Sequence, residues 1–466
     1  MHTQLCLAVD IGTSSIKAGI VNDTGELVSS SRSEIHYPEQ RFDRLHPEEL
    51  LRSFMHAVTQ LELRGRVSAI SISGNGPTLI PVDAEGKHLD CVLMWLDKRD
   101  KRMDSSRSFF LPKVAWLKTE AEDIFGRTAA ILSCAEYIAF RLTGCKHTAS
   151  PSPDFDALFW DDEDLQRYQL PKELFPSFLR PGEIVGPVSN ESAREMGLPD
   201  QLLCVAAGSD FLMSLLGTGA VDAGIICDRA GSSEGINFCS EQPLADARLR
   251  TLPHIIPGLW NVAGILSSTG LLFEWFRRFT GMHGVSYHDM LHMILGAKSP
   301  SPWFFPTLHA GASWEFHHGM FYGLGADHGA AEMGRAVVES IGFAVRETVD
   351  ILRSAVGEVS AMRSCGGQAR NTVWNQMKAD ISGMQIDIPE VPEAELLGSA
   401  ACCFTALGVY RDIAQASRAM VRISRQFYPD SAEHDRYTRD YQAYNQTYAA
   451  FRHAAAQFAG SRDRFV

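Results

Sequence analysis

The residue whose setting first suggests chemistry is Asp210, in the stretch VAAGSDFLMSLLGTGAV. This single carboxylate follows an apolar run and a Gly208-Ser209 turn, and a second glycine-punctuated apolar run comes after it. An acid at the end of a buried strand is held rigidly and can still face a cleft, where a carboxylate can accept a proton. The alternative is that Asp210 caps the amino terminus of a helix that begins at Phe211. The two roles are compatible.

A glycine-hydroxyl turn near the amino terminus could bind an anion. Residues 12–15, of sequence Gly-Thr-Ser-Ser, offer backbone N–H groups and hydroxyls with little side-chain bulk, so a phosphate could approach the main chain. Asp10 ends the preceding strand, where its carboxylate could hold a hydrated Mg²⁺. Taken alone, the pattern is also that of an ordinary hairpin with a solvated acid at its end.

A second hairpin and a glycine pair repeat this chemistry further along the chain. In GIICDRAGSSEGINFCS, residues 224–240, an apolar strand again leads into Gly-Ser-Ser and another apolar strand. Two such hairpins predict a duplicated architecture, in which similar domains face each other across a cleft and each supplies half of a phosphate clamp. Gly366-Gly367 follows a short strand and precedes a helical pattern. Alone this pair indicates a tight turn, but beside the two hairpins it favours backbone packed against a ring or phosphate.

The elements that must position these residues follow from hydrophobic periodicity. LCLAVDIGTSSIKAGIVNDTGELVSSS predicts an antiparallel meander of three strands, with turns at Gly12 and at residues 23–25. Helices are predicted over 47–63 and 330–355, where apolar residues recur at helical spacing. The final segment, from YPDSAEHDRY onward, predicts a polar surface helix whose aromatic stripe packs on the second domain.

Length and composition restrict the class of protein. A chain of 466 residues, 45% hydrophobic and 21% charged, indicates a globular protein of two or more domains. The net charge of −13 argues against nucleic-acid and anionic membrane partners, which need a basic footprint. Ten cysteines without a C-x-x-C pair are typical of a reducing compartment. Because neither a signal peptide nor an apolar stretch of membrane-spanning length is evident, a cytoplasmic location is expected.

Six motifs in a fixed order resemble those of one protein family. They are DIGTSSIK, MWLDKR, AAGSDF, RAGSSEG, LGADHGAAEMGRAVVESIGFAVRETVDIL and CGGQARNTVWNQMKADISGMQI. From about residue 4 to about residue 410 the chain is similar to the FGGY family of carbohydrate kinases, and it most resembles the xylulokinases. The resemblance implies an α/β fold of two ribonuclease-H-like domains of the actin and hexokinase superfamily. We place these domains at 1–240, with the sugar side and the base, and at 241–466, with the adenosine side.

The resemblance also implies ligands and residue roles. Asp210 corresponds to the catalytic base, and Asp10 and Asp210 are the expected ligands of Mg²⁺. The expected ATP-binding residues share the hairpins and the glycine pair: Gly12, Thr13, Ser14, Ser15, Lys17, Gly231, Ser232, Ser233, Gly366, Gly367, Gln368 and Asn371. The expected substrate-binding residues all lie on the amino-terminal side: Asn75, Gly76, Trp95, Asp97, Asp210 and Phe211. The substrate is a small sugar or polyol, with a xylulose-like ketose as the leading interpretation, and a homodimer is compatible with the resemblance.

Several segments on the sugar side depart from the family's pattern. Xylulokinases usually carry Gln-Met-His-Gly where this chain has Gly-Asn-Gly-Pro at 74–77, and the insertion that normally follows MWLDKR is short. Residue 211 is phenylalanine where asparagine is frequent, and LHAGASWEFHH at 308–318 replaces a Gly-Glu-Arg loop. A late Pro-Leu-Gly-Ala run, on an expected connecting helix, reads Leu-Leu-Gly-Ser at 396–399. These changes leave the identity of the sugar open.

Alternatives follow for some residues and for the function. Trp95 could pack on the apolar edge of a sugar or in the core, and His317 and His318 are expected to be surface residues because a third ligand at metal spacing is missing. A sugar or polyol kinase is the first hypothesis for the function. A catalytically weak sugar or nucleotide sensor is the second, because the pocket segments are altered. An actin-type or chaperone-type ATPase is the third, and MWLDKR and AAGSDF argue against it.

Overall fold

The computed structural model describes most of the chain, in two compact units. The described residues are 3–38, 45–102, 106–297, 301–307, 314, 316, 319–357 and 359–458. Within them, unit 1 covers Met1–Val221, Pro253–Gly258 and Glu393–Arg422, and unit 2 covers Asp222–Leu252, Leu259–Pro392 and Ile423–Val466. Among the described helices, none combines the length and apolarity needed to span a membrane.

Unit 1 is built on a six-stranded sheet of order β3-β2-β1-β4-β10-β9. Its central strand β1 has the sequence LCLAVDI and is buried along its whole length, as expected for a continuous apolar run between two neighbours. The first ten strands along the chain, which include those of this sheet, are β1 Leu5–Ile11, β2 Ser15–Asn22, β3 Leu27–Glu34, β4 Ala69–Gly74, β5 Leu79–Val82, β6 Ala130–Ser133, β7 Thr148–Ala149, β8 Phe178–Leu179, β9 Ile184–Pro187 and β10 Leu203–Ser209. The predicted meander of β1, β2 and β3 is confirmed, and both of its pairings are antiparallel.

The helices of unit 1 pack partly on this sheet and partly in a second core cluster with β5 and β6. They are α1 Pro47–Thr59, α2 Leu111–Glu120, α3 Glu122–Arg127, α4 Cys134–Thr143, α5 Pro153–Phe159, α6 Asp162–Tyr168, α7 Asn190–Met196, α8 Asp210–Gly217, α13 Ala394–Ala406 and α14 Ile413–Met420. The predicted helix over 47–63 is shorter than expected. It ends at Thr59, and Leu63 takes a left-handed φ of 62°, a conformation that a helix cannot contain.

Unit 2 repeats the arrangement of unit 1 in a seven-stranded sheet of order β13-β14-β12-β11-β17-β18-β19. Its strands are β11 Ile225–Ala230, β12 Glu234–Ser240, β13 Arg250–Pro253, β14 Trp260–Leu266, β15 Trp303–Phe305, β16 Met320–Tyr322, β17 Ala361–Cys365, β18 Ile386–Pro389 and β19 Ile423–Phe427. In both sheets an antiparallel hairpin is followed by two parallel strands and one antiparallel strand. The predicted duplication of the architecture is therefore confirmed.

The helices of unit 2 are α9 Thr269–Phe279, α10 Tyr287–Leu295, α11 Ala330–Val356, α12 Thr372–Ser382 and α15 Ser431–Phe458. Helix α11 confirms the prediction over 330–355. The predicted aromatic stripe of α15 is also confirmed, because Tyr437 and Tyr444 are buried in the core of unit 2 with α11 and β15. The segment 308–318, with His317 and His318, lies almost entirely outside the described residues.

The two units do not follow the domain boundary placed at residue 240. Strands β11 and β12 belong to unit 2, because β11 pairs with β17 and β12 pairs with β14. Residues 393–422 return to unit 1, because α13 packs on β1, β4 and α8. Hydrogen bonding between distant strands and packing of a late helix set these limits, and neither is visible in local sequence.

Candidate active site

The turn between β1 and β2 presents backbone and hydroxyl groups at the end of the central strand of unit 1. Gly12 closes the turn by donating its N–H to Ser15 O at 3.0 Å, and Ser14 is exposed at its tip. The Thr13 hydroxyl accepts a hydrogen bond of 2.9 Å from Nε1 of Trp95. The structure therefore brings a predicted phosphate-binding turn and a predicted sugar-binding residue together.

Three carboxylates and one lysine gather beside this turn. Asp10 is 3% exposed and Glu395, on α13, is 5% exposed. Nζ of Lys17 lies 3.9 Å from Oδ2 of Asp10 and 3.7 Å from Oε2 of Glu395. Burial, and then the negative charges of Glu395 and Asp210, raise the pKa of Asp10 to about 7, against the opposing effects of Lys17 and of the hydrogen bond from Ser73. An excess of buried carboxylate oxygens over cations is the donor set that suits a divalent cation such as Mg²⁺.

Asp210 stands where β10 ends and α8 begins. It is the first residue of α8, one position earlier than predicted, and Ser209 precedes it in an extended conformation. Oδ1 of Asp210 accepts the N–H of Phe211 at 2.7 Å, and a carboxylate at this end of a helix is favoured by the helix dipole. The side chain is half-buried. Ser209 therefore takes the cap position that was predicted for Asp210, and Asp210 is a first-turn acid, partly accessible to solvent, whose charge acts on Asp10.

Helix α8 is held against α13 by two glycines. A Cβ on Gly217 would lie 1.8 Å from Ala394 O, and one on Gly398 would lie 2.1 Å from Met213 O. The two helices therefore meet backbone to backbone. The Ser214 hydroxyl donates to Oε1 of Glu395 at 3.2 Å, which ties the helix of Asp210 to the third carboxylate of the cluster.

The expected sugar-binding residues divide into two groups. Trp95 is 41% exposed, so the alternative that it packs in the core is wrong, and Gly76 and Phe211 are also accessible. Asn75 is 5% exposed, and its amide donates to Ile11 O at 3.0 Å and accepts from Thr78. These hydrogen bonds fix the Asn75 side chain at the end of β1, which weighs against the predicted contact with the sugar.

Asp97 is also engaged within the fold. Its carboxylate is 4% exposed and accepts two hydrogen bonds from Nε of Arg99, at 3.0 and 2.9 Å. The Arg99 guanidinium lies 4.8 Å from the ring centre of Trp116. Asp97, which was predicted to accept hydrogen bonds from sugar hydroxyls, is thus engaged in an ion pair with Arg99. Arg99 is the more exposed residue of the pair.

In unit 2 the second hairpin and the glycine pair are adjacent. Gly366 has a φ of 85°, and a Cβ on it would lie 2.5 Å from Ala230 O, so only glycine fits there without strain. Nε2 of Gln368 donates to Gly231 O at 3.1 Å. Residues 231–233 form the turn between β11 and β12, and Ser232 and Ser233 are exposed. The structure thus brings together these predicted nucleotide-binding groups of unit 2.

The remaining members of that set have different settings. A Cβ on Gly367 would meet no atom within 4 Å, so this glycine leaves open space for a ligand. Asn371 is 8% exposed, and its Oδ1 accepts Trp374 N–H at 3.0 Å as the cap of α12. A helix cap accounts for Asn371 without a ligand.

A buried ion cluster in unit 2 occupies the position that Asp10 has in unit 1. Asp10 pairs in register with Ser73, and Asp228 pairs in register with Ser364, with hydrogen bonds of 3.0 and 2.6 Å. Nζ of Lys378 lies 2.8 Å from Asp228 Oδ2 and also contacts Glu234. Burial, and then the charge of Asp228, raise the pKa of Glu234 to about 8 against Lys378. With Glu234 neutral, the negative charge of Asp228 is balanced by the positive charge of Lys378. This cluster therefore lacks the excess negative charge of the one in unit 1.

Two features of these sites were missed by sequence reasoning. Glu395 was read only as part of an apolar late helix, and Lys378 only as part of a helical pattern. A signal existed for each, since Glu395 interrupts the apolar run EAELLGSAACC and Lys378 lies between Met377 and Ala379 on a mostly buried helix. A charge in a buried element requires a partner.

Comparisons with known proteins agree with this architecture. Residues 5–108 and 100–217 match the N-terminal domain of the FGGY family of carbohydrate kinases, and residues 229–407 match its C-terminal domain. Xylulose kinase of Staphylococcus epidermidis is 23% identical over 96% of this chain and 97% of that protein. Gluconokinase of Bacillus subtilis is 26% identical over 88% of each chain.

A solved structure shows the same fold. The ligand-bound xylulose kinase from Lactobacillus acidophilus superimposes with a TM-score of 0.83, at 22% identity, over 98% of this chain and 100% of that one. The family domains together cover more than half of the described sequence. The chain therefore belongs to the FGGY family of carbohydrate kinases.

Proposed function

We propose that this carbohydrate kinase transfers the γ-phosphoryl group of ATP to a hydroxyl of a small sugar or polyol, with Asp210 as the general base. The observation that carries the proposal is the position of Asp210, half-buried at the junction of β10 and α8, where its negative charge contributes to raising the pKa of Asp10. A xylulose-like ketose is the leading substrate, because the relatives of highest coverage include xylulose kinases. A gluconate-like acid is the second, because a gluconokinase is about equally similar.

The chain's own groups would divide the work of phosphoryl transfer. The attacking hydroxyl must be oriented and must lose its proton as the O–P bond forms, and the Asp210 carboxylate would accept that proton. Asp10, held by Ser73 and Lys17, would hold Mg²⁺ together with Asp210. When bound, Mg²⁺ would neutralise charge on the transferred phosphoryl group. The exposed indole of Trp95, fixed by Thr13, would face the apolar edge of the sugar.

The nucleotide would be held by main-chain groups. Residues 12–15 and 231–233 each end a central strand with small residues, so that a phosphate can reach N–H groups. The open space beside Gly367 would take the flat face of adenine or ribose. Lys17 would exchange part of its contact with Glu395 for a phosphate oxygen.

A sensor without turnover is the second candidate function. Two of the predicted sugar contacts, Asn75 and Asp97, are engaged by the fold itself, which favours a weakened pocket. A sensor has no need of a positioned base, however, and the Asp10, Lys17 and Glu395 cluster would then have no task. Release of ADP in the presence of ketoses, polyols and sugar acids separates the two functions, because a sensor would bind one of them without releasing ADP.

The decisive test is Asp210→Asn, measured for turnover, ATP binding and thermal stability on one preparation. Asparagine keeps the shape and the helix-terminal hydrogen bond but cannot accept the proton. Since a positioned base contributes about 10² to 10⁴ in rate, turnover should fall at least about a hundredfold, while ATP binds and folding is retained. Asp154→Asn, an exposed acid in the first turn of α5, is the matched control and should remain fully active. Full activity of Asp210→Asn would refute the assignment.

A further inference from the structure

Two histidines and an aspartate converge near the surface of unit 1, at chain positions that the candidate active site does not include. His46 immediately precedes α1, and His88 and Asp90 follow β5. Nε2 of His46 lies 3.1 Å from Oδ1 of Asp90, and Nδ1 of His88 lies 2.8 Å from the same oxygen. One potential ligand atom from each residue lies within 4.8 Å of the other two. Neither the family motifs nor the proposed function uses these residues.

The spacing of these atoms suits a tetrahedral metal ion. Imidazole nitrogens and carboxylate oxygens bind Zn²⁺ at about 2.0–2.2 Å, so two of them at a tetrahedral angle lie about 3.3 Å apart. The two nitrogen–oxygen separations, 3.1 and 2.8 Å, are within half an ångström of that value. Since the three ligand atoms all lie within 4.8 Å of one another, a small outward shift of Asp90 and an approach of the two imidazoles would complete the coordination.

His88 is buried between two carboxylates. It is 7% exposed, its Nε2 lies 3.0 Å from Oε1 of Glu48, and its Nδ1 faces Oδ1 of Asp90 and accepts the Asp90 N–H at 3.4 Å. A neutral imidazole has one N–H and can donate to only one of two carboxylates. A metal ion between Nδ1 and Oδ1 of Asp90 would satisfy both acceptor atoms.

The surroundings of His88 favour the metal. Glu48 accepts hydrogen bonds from both His88 and Arg141, each at 3.0 Å, and it can keep the His88 proton on Nε2. A carboxylate that holds the outer nitrogen of a histidine is the common second layer of zinc sites, because it fixes the tautomer and raises the basicity of the ligating nitrogen. Nδ1, whose contact with the Asp90 N–H is long at 3.4 Å, is then the ligand atom.

The other two residues leave the site open to solvent. The His46 and Asp90 side chains are 49% and 70% exposed, so that a metal can enter and water can fill a remaining position. Nδ1 of His46 accepts the N–H of Glu48 at 3.2 Å, which places the His46 proton on Nε2 when no metal is bound. Metal binding at Nε2 moves that proton and breaks the cap contact, so we expect weaker binding than that of a closed structural site.

We propose that His46, His88 and Asp90 form a binding site for a divalent transition metal, of which Zn²⁺ is the best match. Two imidazoles and one carboxylate select such ions over Mg²⁺ and Ca²⁺, which prefer oxygen ligands alone. The metal would join the start of α1 to the segment after β5, which continues through Cys91 towards Trp95.

Titration calorimetry of the metal-stripped full chain with Zn²⁺, without nucleotide, tests this site. One equivalent should bind, and a bound metal should raise the melting temperature as ligand concentration increases. His46→Asn removes the ligand but keeps a good helix cap, and Asp90→Asn removes the charge at a left-handed φ of 51° that asparagine tolerates. Each variant should weaken Zn²⁺ binding at least tenfold while the metal-free protein melts as the wild type does. His56→Asn, exposed on the same helix, should bind as the wild type does.

Co²⁺ provides the second measurement, because the chain has ten free cysteines. Nitrogen and oxygen ligation should give visible bands without the strong ultraviolet absorption of a cobalt–thiolate bond. A thiolate band, the absence of binding to the wild type, or binding unchanged in both His46→Asn and Asp90→Asn would each overturn the proposal.

Discussion

At the scale of single residues, the two units treat equivalent acids in opposite ways. Asp10 and Asp228 occupy matching strand positions and accept a hydrogen bond from a matching serine. Lys378 contacts Asp228 in a fully buried ion pair, which is costly to break because a charge would be left without a partner. Lys17 stands farther from Asp10, at 3.9 Å, and is 29% exposed. The acid of unit 1 is therefore held less closely by its lysine than the acid of unit 2 is.

A buried histidine gives unit 1 a defined dependence of stability on pH. His254 is 1% exposed, its Nδ1 accepts Ile256 N–H at 3.0 Å, and burial lowers its pKa to about 4. Its unfolded pKa is about 6.5. Because the folded value is the lower one, the neutral ring contributes stability that is complete above about pH 6.5 and is lost as the pH falls towards 4, by about 3 kcal/mol.

His254→Asn should reduce this pH dependence. The asparagine Oδ1 can take over the hydrogen bond from Ile256, and the side chain does not titrate. The variant will be less stable at pH 7, since packing is lost, but its free energy of unfolding should fall less than that of the wild type between pH 6.5 and 4. Urea unfolding at several pH values measures how the free energy of unfolding of each protein depends on pH. The same pH dependence in the wild type and the variant would contradict the prediction.

At the scale of elements, the contact between α8 and α13 sets the position of the proposed base. Gly217 and Gly398 let the helices approach to backbone contact, and Ser214 links α8 to Glu395. A rigid strand–helix junction holds Asp210, and α13 brings Glu395 to Asp10. We therefore expect stability and activity to be coupled through this helix pair.

Gly398→Ala should therefore lower both stability and turnover. The added methyl group would overlap Met213 O, and overpacking of this kind costs about 1–3 kcal/mol. Relief of the overlap requires α8 to move, and Asp210 moves with it. Gly126→Ala in α3, where a Cβ meets nothing within 4 Å, is the matched control and should be neutral or slightly stabilising. Denaturant unfolding and turnover measure the two effects, and a destabilised Gly398→Ala variant with unchanged turnover would contradict the coupling.

At the scale of the whole molecule, the two hairpins of the proposed ATP site belong to different units. Residues 12–15 lie in unit 1 and residues 231–233 in unit 2. If both contact one nucleotide, binding must fix the units relative to each other, as in hinge closure around a ligand. We therefore predict that MgATP with a substrate sugar reduces the radius of gyration measured by small-angle X-ray scattering. A profile unchanged at saturating ligand would contradict this prediction, and Asp210→Asn, which should still bind both ligands, should compact as the wild type does.

The sequence alone determined the features that depend on neighbouring residues. The three-strand meander, the turns at Gly12 and Gly231, the long helix α11 and the strand-to-helix position of Asp210 follow from apolar periodicity and glycine placement. The ordered motifs led to the family. In each case the information lies within one or two turns or strands, so no distant contact was needed to predict it.

Only the tertiary structure decided which side chains meet. Glu395 reaches Asp10 and Lys17 because α13 returns to the sheet of unit 1, and Lys378 reaches Asp228 because α12 packs beside β11 and β12. Asn75 and Asp97 proved to be engaged by Ile11 and Arg99, although their sequence positions suggested sugar contacts. A side chain's partners depend on which distant elements bury it and on the cost of leaving a buried polar group unsatisfied, and local sequence contains neither quantity.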